Sequence, residues 1–118
     1  MTDTSTAHDS APLPVPVVTY LDARDDHRPA DAAAAFAPNA TVIDDGKTYQ
    51  GIEAITAWIH SSSTEYTYSS TRIGHEVTDG NHADVQVRLD GDFPGGTVVL
   101  RYRFDLDAGR IGRLTIEV

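Results

Sequence analysis

Residues 36–59 read FAPNATVIDDGKTYQGIEAITAWI, and the way this stretch divides decides the fold. The alanines before it carry helical propensity into Phe36, the one bulky anchor of that helix, and Pro38-Asn39 is expected to stop it. A strand then runs to Asp44, Asp45-Gly46 makes a tight turn, and a short second strand follows. Gly51 opens a further helix that sets Ile52, Ile55, Trp58 and Ile59 at helical spacing. Asp44 stands out in this pattern. It shares strand parity with Val42, so if Val42 faces an apolar interior, a carboxylate is held there beside it.

Upstream, Pro14 and Pro16 fit only the start of a helix, and Val17, Tyr20, Leu21 and Arg24 recur at intervals of three and four. Asp25 to Arg28 break that helix, and Pro29 restarts a second one with Asp31 in its first turn. Downstream, Ser61 to Ser63 read as a loop, and the Thr- and Tyr-rich residues after them begin a long strand toward Val77. Asp79-Gly80-Asn81 is a turn. Ala83, Val85, Val87 and Leu89 then alternate with Asp84, Gln86 and Arg88. Past a connection at Asp90 to Gly96, Val98, Leu100, Tyr102, Phe104 and Leu106 share one face. A last turn at Asp107-Ala108-Gly109 leads to Leu114, Ile116 and Val118. Three helices followed by long strands, each with one apolar face, make an α+β domain whose curved antiparallel sheet folds over the helices. The expected organisation is a disordered tail over residues 1–13 and a single domain over 14–118.

At 118 residues the chain can bury a core unaided by metals or disulfides, and it contains no cysteine. A net charge of -9 disfavours nucleic acid and anionic membranes as partners, because their phosphates repel it. The polar N-terminus has neither a basic nor an apolar signal region, and no apolar run approaches the roughly 20 residues of a membrane helix. These features point to a cytoplasmic location. None of the five histidines has ligand spacing, so neither a metal nor a cofactor is expected.

FAPNATVIDDG, YQGIEAITAWI and RYRFDLDAGRIGRLTI, in this order, resemble the nuclear transport factor 2-like superfamily, which includes SnoaL-like polyketide cyclases and bacterial ketosteroid isomerases. The resemblance spans Val17 to Val118. It implies a cone-shaped fold enclosing an apolar pocket, often in a homodimer built on the outer sheet face. It also implies roles for two residues. In the isomerases a Tyr on the first helix helps form an oxyanion hole and an Asp on the first strand is the general base, and Tyr20 and Asp44 fall on those positions. The isomerases' second donor, a protonated Asp, falls on Leu100, which cannot donate a hydrogen bond.

Two readings stay open. In the first the chain is a small cofactor-independent isomerase, cyclase or dehydratase acting on an apolar carbonyl compound. Asp44 moves the proton, Tyr20 holds the oxygen, and Trp58, Leu100 and Tyr102 wall the pocket. In the second it is a ligand-binding or dimeric interaction module of the same fold; Asp44 merely bonds the amides of the adjacent turn, and Tyr20 is a core aromatic.

Overall fold

The computed structural model describes residues 12–65 and 68–118, without the side chains of 63–65. The expected disordered tail lies almost wholly outside the described residues. Helix α1 spans Val15–Asp25 and α2 Pro29–Ala34. A proline stands in the first turn of each, where the missing N–H leaves no helical bond unmade. Between them His27 adopts a φ of 56°, which turns the chain back. Strand β1 is Phe36–Asp44, β2 Lys47–Gln50, and helix α3 Ile52–Glu65. Strands β3 Tyr68–Thr78, β4 His82–Gly91, β5 Thr97–Asp107 and β6 Arg110–Glu117 complete the chain.

The six strands form one sheet in the order β2-β1-β6-β5-β4-β3. All neighbours are antiparallel except β1 and β6, so the expected antiparallel sheet is in fact mixed. Two-residue turns close β1–β2 at Asp45-Gly46 and β5–β6 at Ala108-Gly109, with positive φ at both positions of each. That is the mirror-image turn whose twist matches a hairpin. The inner face is built from cross-strand rows. Val42, Leu114, Phe104 and Ala83 form one, and Asp44, Ile116, Tyr102 and Val85 form the next. Helices α1 and α3 lay Val17, Tyr20, Leu21, Ile55 and Ile59 on these rows, and all five side chains are buried.

Two boundaries differ from the expectation. Phe36 to Asn39 belong to β1, not to the second helix, which ends at Ala34. The Ile111 N–H donates to the Ala35 carbonyl at 2.9 Å, drawing the chain into the sheet just where helical propensity would have carried it on. Pro38 is tolerated there because the β1–β6 register shifts between Phe36 and Thr41, a gap in the ladder where its missing N–H costs nothing. In addition, α3 runs through Ser61 to Ser63, which the composition had marked as a loop. Serine is only a moderately poor helix former, and Ser62 Oγ folds back onto the Ile59 carbonyl at 3.3 Å.

Phe104 is where sheet and helix meet. Its ring lies 5.9 Å from Tyr20, edge to face, and 6.2 Å from Tyr102. Phe104→Ala removes that contact and leaves a cavity, and should destabilise the protein by about 3–5 kcal/mol in urea unfolding followed by circular dichroism.

Candidate functional site

Asp44 ends β1 and shares its inward row with Ile116 and Tyr102, a carboxylate closing an otherwise apolar line. Parity with the fully buried Val42 turns it inward, as the sequence implied. Trp58, on the α3 face that also carries Ile55 and Ile59, donates its indole N–H to Asp44 Oδ2 at 3.0 Å. The indole is 5 % exposed and stacks obliquely near Tyr49, 6.0 Å between ring centres. The carboxylate is thus oriented by a side chain that packing holds still.

Asp44 borders an open cavity of about 640 Å³ whose wall is otherwise mostly apolar, formed by Leu89, Phe93, Val98, Leu100 and Ile116, with Tyr68 beside them. Of the expected wall residues, Leu100 lines this cavity. Trp58 touches it only through Asp44, and Tyr102 borders a different space. A comparable groove on the outer sheet face, about 540 Å³, is walled by Glu76, Asp84, Arg103, Asp105 and Arg113, and lacks the apolar surface a small-molecule site needs.

Tyr20 is only 1 % exposed, with its ring edge-on to Phe36 at 5.3 Å and to Phe104 at 5.9 Å. It faces a void of about 20 Å³, which it shares with Arg24 and Tyr102. Tyr68 and Leu89 line both spaces, which therefore adjoin along these two side chains. Asp44 borders the larger space and Tyr20 the smaller one, and neither space is lined by both. The cause is depth: the aromatic packing that makes Tyr20 a good core residue keeps it behind the wall.

Arg24 escaped the sequence reading, although its signal was there as an arginine on the apolar stripe of α1. Its guanidinium lies 5.0 Å above the Trp58 ring and 5.8 Å from that of Tyr20. Nη2 donates to Ser62 Oγ at 2.8 Å, while Nη1 is buried and has no hydrogen-bond partner among the described residues. Burial opposes its charge, but the Tyr20, Tyr68 and Tyr102 phenols outweigh this once ionised and raise its pKa, with a Tyr68 hydrogen bond adding to them. At neutral pH the Tyr20 and Tyr102 phenols carry no charge, and the cation rests on the basicity of guanidinium itself. Trp58 therefore joins two charged groups, with its N–H on Asp44 and its ring beside Arg24.

A curved mixed sheet over three helices, with Asp44 at the border of an open and mostly apolar cavity, defines a small α+β protein. The chain matches the SnoaL-like domain family over residues 17–113 and belongs to it. A candidate polyketide cyclase from Sinorhizobium meliloti is 35% identical, over 89% of this chain and 95% of that one, with a TM-score of 0.82. A Catenulispora acidiphila protein with a ketosteroid isomerase-like fold, solved with trimethylamine, is 18% identical over 91% and 87% of the two chains, TM-score 0.77. A Mycobacterium tuberculosis protein solved with estradiol-17beta-hemisuccinate is 16% identical over 92% and 94%, TM-score 0.77. These last two share the fold. No curated protein matches the sequence. No helix among the described residues is long and apolar enough to cross a membrane.

Burial drives the phenol of Tyr20 up from 10.0 to about 12; Arg24 pulls it down, while Tyr68 and Asp44 push it up. Tyr102 moves in the same direction, again mainly through burial. In the unfolded chain these phenols ionise near pH 10, whereas in the folded chain they stay protonated. The Tyr20 contribution is complete below pH 10 and should be lost as pH rises toward 12, and that of Tyr102 falls through the same range. For Tyr20 the shift corresponds to about 3 kcal/mol. Urea midpoints measured across that window should fall steeply for the wild type and less steeply for Tyr20→Phe.

Proposed function

We propose that the protein is a cofactor-independent isomerase, cyclase or dehydratase-like enzyme for an apolar carbonyl compound, with Asp44 as its general acid and base. The observation that carries this reading is the Asp44 carboxylate, held by the Trp58 N–H in the wall of a cavity large enough for a fused-ring molecule. A substrate lying along Leu89, Val98 and Leu100 presents a carbon acid to Asp44. The carboxylate takes the C–H proton, the electron pair moves onto the carbonyl oxygen as an enolate, and the same carboxyl group returns the proton elsewhere on the substrate. The phenol bordering this cavity is Tyr68, so in this reading Tyr68 meets the substrate oxygen and Tyr20 acts from the adjoining space. Kinship with a candidate polyketide cyclase supports the substrate class.

Leu100 in the cavity wall favours a second reading, a ligand-binding module without chemistry, because that position offers no further donor. Asp44→Asn separates the two. With an apolar ketone found by thermal-shift screening, the wild type should exchange α-hydrogens in deuterium oxide, and Asp44→Asn should slow this at least about 100-fold while keeping affinity within a few-fold. A wild type that binds ketones without exchange or turnover would leave the binding module standing.

Part of the same proposal is a homodimer through the outer sheet face. There Val99 is 44% exposed beside the long side chains of Arg101 and Arg103, which pair with Asp84 and Glu117 within the chain. Light scattering at high micromolar concentration should return twice the chain mass; a monomer mass rules it out.

A further inference from the structure

We propose that Arg24 is an anchor for an anionic group, and that the ligand of the cavity is an apolar acid whose carboxylate reaches the guanidinium. The proposal rests on the reading that the larger cavity is the ligand site. Among the described residues, Arg28, Arg72, Arg88, Arg101 and Arg103, all at the surface, each lie within ion-pair distance of an aspartate or glutamate, and Lys47, Arg110 and Arg113, which do not, are exposed to solvent. Arg24 is set deeper than these, and no described carboxylate reaches it. Carboxylates are not scarce, with 18 acidic residues against 9 basic ones. A desolvated guanidinium with an unused donor is costly, and a structural arginine would be expected to spend its planar fork on a carboxylate.

The surroundings suit an incoming anion. Ser62 fixes Nη2, and the Trp58 ring supports the guanidinium from one side, so Nη1 is held without being consumed. The void beside it, about 20 Å³, has room for roughly one water molecule, so a carboxylate oxygen can stand there but a ligand body cannot. The body belongs in the larger cavity, and the boundary between the two is formed by Tyr68 and Leu89. Acid and cation then hold different ends of one molecule: Arg24 fixes the carboxylate while Asp44 faces the apolar part near Leu100 and Ile116. The net charge of -9 repels anions at long range, which makes Arg24, without an ion-pair partner among the described residues, the feature that would reverse this preference locally.

The test compares matched carboxylic acids and primary amides on straight-chain, monocyclic and fused-ring apolar scaffolds. Binding is read near neutral pH by titration calorimetry and by the fluorescence of Trp58, the only tryptophan. The acid of the best-bound pair should bind at least about tenfold more tightly than its amide, as a charge-assisted hydrogen bond provides. In Arg24→Gln that preference should collapse to within about twofold while the amide binds as before, and Arg24→Lys should restore part of it. Equal binding of acid and amide by the wild type, or an acid preference that survives Arg24→Gln, overturns the anchor and leaves the cavity reading intact. If neither acid nor amide binds any scaffold, the cavity reading falls and the anchor with it. Ligand-free Arg24→Met supplies an arm independent of ligand choice: an anchor predicts a melting temperature equal to or above the wild type, and a marked fall identifies Arg24 as a structural residue.

Discussion

The parallel pairing of β1 with β6 is the constraint on which the remaining arrangement depends. A strand early in the chain lies beside the last one, and the antiparallel β3–β6 run is thereby tied to the helices. The register sets Val42 against Leu114 and Asp44 against Ile116, which extends each apolar row of the inner face by one residue. It also delivers β1 to the mirror-image turn at Asp45-Gly46, whose far strand ends at Gln50 and leads into Gly51. The Gly51 N–H is held by the Ala40 carbonyl at 2.9 Å, and α3 starts there. The position of Trp58 is thus inherited from β1, and so is its meeting with Asp44. Slipping that pairing by one residue would turn Asp44 outward and Ile43 inward, and the site would vanish together with the core row.

Much of this was legible. Alternation from Ala83 to Leu106 placed the inner faces of β4 and β5, and glycines after Asp or Ala marked turns that do adopt positive φ. Phe36 to Asn39 were misassigned because local propensity favours helix there while a long-range bond from Ile111 decides for strand, and local patterns carry no information about such a partner. The end of α3 was misread for a related reason. Three serines in a row look like a loop, yet one of them bonds back into the helix and receives Arg24 from α1. Composition records neither contact.

For the site, Asp44 could be found because strand parity is a local rule and its inward neighbour is fully buried. The relation between Asp44 and Tyr20 could not, since the two spaces they line adjoin at Tyr68 and Leu89, which come from two further strands. Arg24 was hidden by its own versatility. An arginine on an apolar stripe ordinarily lays its methylenes on the core and sends its head to water. Here the head stays beneath the surface, which only the packing of α1 against α3 reveals.

The indole between the two charges has an energetic logic. Asp44 and Arg24 in direct contact would satisfy each other, and a buried pair of that kind gives fold stability little and a ligand nothing. With Trp58 between them, Asp44 is steadied by a neutral N–H donor and Arg24 by the aromatic ring, interactions that orient each group without neutralising it. Both spaces then keep reactive capacity, with an oriented carboxylate facing an apolar space and a guanidinium N–H without an acceptor among the described residues. Holding opposite charges apart at close range sacrifices stability. The loss is tolerable because Phe104, Tyr20 and the paired rows beneath them form a continuous apolar core directly below the site.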